Sequence, residues 1–116
     1  MAGMQRFFLG IDDLARARGP IGELSFHGDS PESFAAALQA ALRDSSLFER
    51  WRALQPDPDA VDPALGATDA VATVSAQQSD LHIDALVTTR LPHAILRHRL
   101  NLLAGSHWTL RDVKAG

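Results

Sequence analysis

Hydrophobic positions recur with a helical period over residues 31–43. One face of this segment carries Phe34, Ala37, Leu38, Ala41 and Leu42, at the i, i+3, i+4, i+7, i+8 spacing of an amphipathic helix. Ser30 can accept hydrogen bonds from the free N–H groups of the first turn, and Pro31 needs no N–H at its position. The sequence therefore predicts a helix over residues 31–43, followed by a bent continuation or a separate helix to about residue 54.

A period of two residues follows in the middle of the chain. Apolar residues at the even positions of the segment 70–77 alternate with Thr73, Ser75 and Gln77. Such alternation is typical of a half-buried strand. Residues 81–91 alternate in the same way, and Gln78–Ser79 forms a short connection between the two segments. The sequence therefore predicts a β-hairpin.

The N-terminal part of the chain is less regular. Residues 6–19 mix apolar and charged side chains and end at Gly19–Pro20, which predicts a short helix. The following segment, Ile21–His27, alternates between apolar and polar residues. This alternation predicts the first strand of the sheet.

The C-terminal part contains one helix and one strand. Pro92 opens the helix, and Gly105 is suited to end it in a left-handed conformation. Residues 107–113 then predict an edge strand, with Trp108 and Leu110 on the side of the core.

This order of elements predicts a single α+β domain over residues 1–116. Strand, helix, strand, strand, helix, strand is the split βαβ pattern of the ferredoxin-like fold. In that fold the strands lie in the order fourth, first, third, second, all neighbours are antiparallel, and the helices cover one face. Residues 1–20 are expected to form an N-terminal extension, and residues 55–69 a long acidic loop rich in proline.

Composition narrows the class of protein. The chain has 116 residues, of which 46% are hydrophobic and 22% are charged, enough for one folded core. The absence of cysteine excludes disulfides, thiolate nucleophiles and thiolate metal sites. No targeting segment or membrane span is recognisable, and ten of the eleven basic residues are arginine. We therefore expect a bacterial, cytoplasmic protein, with no cofactor predicted.

The net charge of -3 is unevenly distributed along the chain. Residues 1–52 carry six basic and seven acidic side chains, and residues 53–89 carry six acidic and no basic ones. Residues 90–116 carry five basic side chains and one acidic side chain. The basic C-terminal quarter must face either the acidic segment of the same chain or an external anion.

A basic patch is predicted on the last helix and strand. Its candidate residues for binding an anion or a partner are Arg90, His93, Arg97, His98 and Arg111. Aromatic residues do not alternate with them, the chain has no tyrosine and only one lysine, and its pI is about 5.9. These features argue against a nucleic-acid partner. The alternative is a solvated helix face, or one that pairs with the acidic loop.

Three histidines are candidates for a metal or acid–base site. In the predicted strand order, His27, His82 and His107 meet at one end of the uncovered sheet face, with Asp84 two residues from His82. The chain lacks the closely spaced histidine pairs of common metal motifs, and the outer members of such a row would lie about 10 Å apart. Three solvated polar residues are the alternative interpretation.

Arg99 is unusual because it falls within the apolar sector of the last helix. Such an arginine either extends its stem along the core with its charge in water, or pairs with a carboxylate. Asp12, Asp13 and Glu49 are the candidate partners.

The function predicted from these features is that of a small noncatalytic binding module. It would act through the uncovered sheet face and the basic helix, with another protein or a second copy of itself as partner and no membrane contact. Val71, Leu86 and Val113 would supply apolar area on that face, which favours a homodimer. The alternative is a small cofactor-independent or metal-assisted enzyme, a dimeric α+β barrel that encloses His27, His82, Asp84 and His107.

Overall fold

Four strands and three helices make up the fold in the computed structural model, which describes residues 3–80 and 82–115. The strands are β1 (Gln5–Ile11), β2 (Thr73–Ser79), β3 (His82–Thr89) and β4 (Thr109–Ala115), and the helices are α1 (Pro31–Arg43), α2 (Ser46–Ala53) and α3 (His93–Ala104). Short 3-10 turns lie at Leu14–Arg16, Pro58–Ala60 and Pro63–Gly66. None of the helices in the described ranges is both long and apolar enough to cross a membrane.

The strands form one antiparallel sheet in the order β2-β3-β1-β4. β1 pairs with β3 on one side and with β4 on the other, and β2 pairs with β3. The predicted α+β class and antiparallel sheet are therefore confirmed. The order of the strands in the sheet also agrees with the prediction, although another segment supplies the first strand.

The first strand is β1, so the predicted helix over residues 6–19 and the predicted strand over 21–27 are both wrong. Phe7, Leu9 and Ile11 alternate along β1 and are at most 1% exposed, because the strand lies between two others and under the helices. Residues 21–27 form turns and extended chain instead. The alternation in that segment reflects packing of Leu24 and Phe26 into the core without a neighbouring strand.

The helices agree more closely with the predictions. α1 spans residues 31–43, and Ser30 and Ser33 form a reciprocal capping box at its start. α2 is a separate helix rather than a continuation of α1. α3 ends at Ala104, and Gly105 follows with a φ angle of 62°. Local capping signals therefore located the bounds of α1 and the end of α3.

The core lies on one face of the sheet only. Along β3, buried Ile83, Ala85 and Val87 alternate with partly exposed residues. α1 packs against β2 and α3, and the apolar face of α3 is buried in the same core. The other face carries no helix in the described part of the chain, so its side chains remain accessible.

Asp69 anchors the end of the acidic loop to the sheet. Its carboxylate accepts hydrogen bonds from the Thr89 hydroxyl at 2.8 Å and from the N–H groups of Arg90 and Val71. Burial alone would raise the pKa of this carboxyl, but these hydrogen bonds and the Arg90 charge outweigh it, so the pKa lies below its usual value. The loop is thus fixed where β3 ends.

Candidate functional site

The uncovered face of the sheet, called the open face here, collects polar and apolar side chains from all four strands. Paired residues of antiparallel strands share a face, and Phe8 pairs with Leu86 and Asp112, while Leu86 pairs with Ser75. The same alternation assigns to this face Arg6, Phe8, Gly10, Thr73, Ser75, Gln77, Ser79, His82, Asp84, Leu86, Thr88, Thr109, Asp112 and Lys114.

Phe8 and Leu86 form the apolar centre of the open face. They line a shallow hollow of about 300 Å³ together with Ser75, Gln77 and Asp84. Sequence reasoning placed Leu86 here correctly, but it missed Phe8.

The other two apolar residues predicted for the open face lie elsewhere. Val71 lies in the turn before β2. Val113 pairs with Phe7, whose side chain points to the core, so Val113 lies on the opposite side of the sheet. The shift of register between Phe8 and Leu9 reverses the alternation of β4 and accounts for this error.

A charged cluster lies at one end of the hollow. Asp84 Oδ1 is 3.1 Å from His82 Nε2 and 3.4 Å from an Arg111 guanidinium nitrogen. Arg111 reaches Asp84 across Gly10, where an added Cβ would come within 2.6 Å of the Arg111 Nε. The missing side chain at residue 10 therefore makes room for this ion pair, which holds the carboxylate in place.

The other end of the open face is cationic. Lys114 is the cross-strand neighbour of Arg6, and its Nζ lies 5.4 Å from the centroid of the Phe8 ring. Asp112 lies 3.9 Å from the same Nζ, which leaves this end with one positive charge in excess. A ligand that carries a carboxylate would be attracted to it.

The three histidines do not meet as predicted, because residues 21–27 are not a strand. His27 lies on the helix side, with Nε2 2.6 Å from the carbonyl oxygen of Gly22. His107 lies between α3 and β4 near Asn101. Only His82 and Asp84 are brought together. Within residues 3–80 and 82–115, no group of three or more His, Asp or Glu side chains is arranged to hold a metal ion.

The predicted basic patch is divided between the two sides of the sheet. Arg111 lies on the open face, whereas the His93 ring stacks on Phe7, which points to the core. Arg97 is exposed on α3, and Arg90 contacts Asp69 of the acidic loop. The contact of Arg90 with the acidic loop is made by its backbone N–H, and Arg90 precedes α3 in the chain.

Arg99 is fully buried, and the predicted carboxylate partners Asp12, Asp13 and Glu49 are wrong. Its guanidinium donates instead to three backbone carbonyls, of Ala41 at 3.2 Å, Leu65 at 2.7 Å and Ala67 at 3.1 Å. The Ala41 carbonyl belongs to the last turn of α1, where the helix dipole favours a cation. Arg99 therefore ties α3 to α1 and to the loop over residues 55–69.

His98 points inward beside Arg99, although the sequence placed it on the polar side of the helix. Its ring lies perpendicular to Trp51, with 4.4 Å between centroids. A guanidinium can only donate, so the 3.3 Å contact with Arg99 makes the His98 Nδ1 the acceptor and places the ring proton on Nε2. Burial and, to a smaller extent, the Arg99 charge hold the pKa of His98 below 6.5.

This pKa predicts a loss of stability in mild acid. A histidine whose pKa is lower in the folded state stabilises the fold above about pH 6.5, and this contribution is lost as the pH falls toward the folded value. Urea unfolding at pH 7.0, 6.0 and 5.0 should therefore show a falling free energy of unfolding. His98→Gln, which keeps an acceptor for Arg99, should reduce that slope, and His107→Gln serves as the control for an exposed histidine. An unchanged slope in His98→Gln would contradict the assignment.

Phe8 and Gly10 were the main residues missed at the site. Their signal was present in the alternation of Phe7, Leu9 and Ile11, but the two adjacent phenylalanines also fit a helix.

Comparisons of the chain with models of protein families, with curated proteins and with solved structures found no match. The geometry of the open face is therefore the basis on which a function can be assigned.

Proposed function

We propose that this protein is a noncatalytic binding module whose open face receives another protein. The observation that carries the proposal is the pair Phe8 and Leu86, two large apolar side chains at the centre of a face without a helix. Contiguous apolar area that is surrounded by polar groups is typical of protein interaction sites. The positive charge on this face comes from Arg6, Arg111 and Lys114 of the strands rather than from α3.

The arrangement of charges indicates the chemistry of the partner. An apolar side chain of the partner would fill the hollow beside Phe8, and a carboxylate would lie near Lys114 and Arg6. Asp84 is already held by His82 and Arg111, so it offers a fixed acceptor for an N–H or O–H donor. The partner surface is therefore expected to be apolar at its centre and acidic on one side.

We also propose that the fold is of the ferredoxin-like type. β1, α1, β2, β3, α3 and β4 follow one another in the chain, with α2 and the acidic loop inserted after α1. The sheet order and the antiparallel pairing support this proposal. In such a two-layer fold, the uncovered sheet face is the surface available for binding.

Site-specific photocrosslinking in living cells tests the binding function. A benzophenone amino acid at position 8 should give a discrete adduct, because position 8 lies at the centre of the proposed interface. The same amino acid at Leu54, which is 48% exposed on another surface, is the control. Leu86→Asp should abolish the adduct without unfolding the protein, since Leu86 is only partly buried.

The outcomes of this experiment are distinguishable. An adduct of this chain with a different protein at position 8, sensitive to Leu86→Asp, supports the proposal. Equal labelling at positions 8 and 54, or no adduct at position 8, would show that the open face binds no protein under the conditions of the cell.

A second candidate function is that of a dimeric α+β barrel enzyme. The hydrogen bond between His82 and Asp84 beside the hollow favours it, because a carboxylate can orient an imidazole for proton transfer. This enzyme requires two open faces that meet and enclose the hollow. A photocrosslink from position 8 to a second copy of the chain would favour it.

A further inference from the structure

The two edges of the sheet differ in their protection against pairing. β4 carries Arg111, Asp112 and Lys114 and an irregularity in its register, which are features that prevent edge-to-edge association. β2, with the sequence TVSAQQS, has no charged residue, no proline and a regular register along its whole length. Natural proteins rarely leave an edge strand of this kind unpaired.

Alternate residues of β2 direct their backbone groups away from β3. The N–H of Val74 donates to the Oε1 of Gln39 in α1 at 3.0 Å, so it points outward. In an antiparallel strand this direction repeats every second residue. The N–H and C=O groups of Ala76 and Gln78 therefore point to the free edge as well.

α1 leaves room for another strand next to β2. The groove between them has a volume of about 370 Å³ and is lined by Glu32, Ala35, Ala36, Gln39, Val74, Ser75 and Ala76. Ala36, an exposed residue of α1, lines this groove together with Ala76. Its side chain is a single methyl group, whereas the Gln39 side chain reaches the edge at Val74 and must release that N–H to an added strand.

A two-fold axis through the middle of the β2 edge would bring opposite charges of two copies together. Antiparallel pairing of β2 with a second β2, centred on Ala76, brings residue 80 of one copy opposite residue 72 of the other. Arg43 binds the carbonyl of Ala72 at one end, and Asp80 is exposed in the hairpin turn at the other end. In this register, Arg43 of each copy therefore lies near Asp80 of the second copy.

We propose that the β2 edge binds a second copy of this chain and forms a continuous eight-stranded sheet. The axis passes beside Ala76, and the two Ala76 residues exchange a pair of backbone hydrogen bonds. In this register all seven residues of β2 lie opposite the second β2, and the N–H of Val74 exchanges its Gln39 acceptor for the Gln78 carbonyl of the second copy. The dimer goes beyond the proposed binding function, because it leaves both open faces accessible on the same side of one sheet.

Disulfide trapping tests this arrangement, because the native chain has no cysteine. Hydrogen-bonded residues of antiparallel strands have Cα atoms about 5.5 Å apart, within the range of a disulfide. Ala76→Cys should therefore form a disulfide-linked dimer under mild oxidation. Val113→Cys on the β4 edge is the matched control and should stay monomeric under denaturing conditions.

Sedimentation equilibrium gives a second measurement without crosslinking. The wild-type protein should show twice the chain mass of 12.5 kDa. Ala76→Pro removes only an outward N–H, and its Kd should rise about 30-fold through the loss of two backbone hydrogen bonds. Asp80→Asn should weaken the dimer about threefold, as expected for exposed ion pairs. Circular dichroism of both variants verifies that the fold is retained.

Each alternative outcome overturns the inference. A wild-type monomer at all concentrations excludes a stable dimer. A wild-type dimer that Ala76→Cys fails to trap shows that pairing occurs elsewhere. Trapping through Val113→Cys would identify the β4 edge, and trapping through Leu86→Cys would identify a dimer of two open faces. If the β2 edges do not form a dimer, the photocrosslink expected at position 8 is unaffected, so the two proposals are tested separately.

Discussion

Arg99→Met is expected to lower the free energy of unfolding by about 3–5 kcal/mol, because it leaves one buried and two partly buried carbonyls without their donor. Methionine is similar in length, so the loss measures the hydrogen bonds more than the packing. Three carbonyls in two segments lose a shared partner at once, at Ala41 in α1 and at Leu65 and Ala67 in the acidic loop. Urea unfolding followed by circular dichroism at one fixed protein concentration gives the measurement.

Two further variants make this result specific. Arg99→Lys keeps the charge, but an ammonium group cannot replace the planar fork that reaches three carbonyls, so an intermediate loss is expected. Arg97→Met removes an exposed arginine from the same helix and should change stability by no more than about 0.5 kcal/mol. If Arg99→Met behaved like Arg97→Met, the buried guanidinium would have no structural role. Faster amide exchange in residues 55–69 should accompany the loss in Arg99→Met.

Gly19→Ala is expected to destabilise the fold by about 2–4 kcal/mol, because the new side chain collides with the backbone of α3. A Cβ at residue 19 would lie 1.9 Å from the carbonyl oxygen of Leu102 and 2.8 Å from its carbonyl carbon. A helix backbone cannot turn aside as a flexible side chain can. The Gly19 N–H also donates to Ser25 Oγ at 2.8 Å, so movement of this residue would disturb a second contact.

Gly22→Ala is the matched control for this collision. Gly22 is exposed, lies only three residues further along the same segment, and an added Cβ would have no atom within 4 Å. Its φ angle is not positive, so alanine can adopt the same conformation. The variant should be as stable as the wild type or more stable by about 0.4–1 kcal/mol. Equal losses in Gly19→Ala and Gly22→Ala would show that the contact with Leu102 does not decide the effect.

Both effects concern chain segments outside the strands and long helices. Residues 12–30 connect β1 to α1, and Gly19 packs this connection against α3. Residues 54–72 connect α2 to β2, and Arg99 and Asp69 hold this connection against the core. The two connections on the helix side of the sheet are thus held in place by a few polar contacts in addition to apolar packing.

The local pattern of the sequence was sufficient where one segment carried the whole signal. α1 has a capping residue, a proline at its first position and an uninterrupted apolar face, so its bounds agree with the prediction. The hairpin of β2 and β3 has clear alternation on both strands, but the predicted connection Gln78–Ser79 is wrong, because both residues belong to β2 and the turn begins at Asp80. β1 was missed because Phe7 and Phe8 are adjacent, and a short segment with consecutive apolar residues fits both periods.

The candidate site was only partly accessible to sequence reasoning. His82 and Asp84 are two residues apart on one strand, so their contact follows from the strand itself. The Arg111 contact requires that β4 lie beside β1 and that residue 10 lack a side chain. Val113 was assigned to the wrong face because a change of strand register gives no signal in the composition of the strand.

The sequence by itself determined the α+β class, the bounds of α1, the presence of the hairpin and the absence of cysteine chemistry. Only the tertiary structure decided which segment became the central strand and what Arg99 binds. Segments that are far apart in the chain can compete for one position in the sheet. The segment that buries more apolar surface there forms the strand. Backbone carbonyls occur at every residue, so a sequence cannot show which of them a buried arginine will meet.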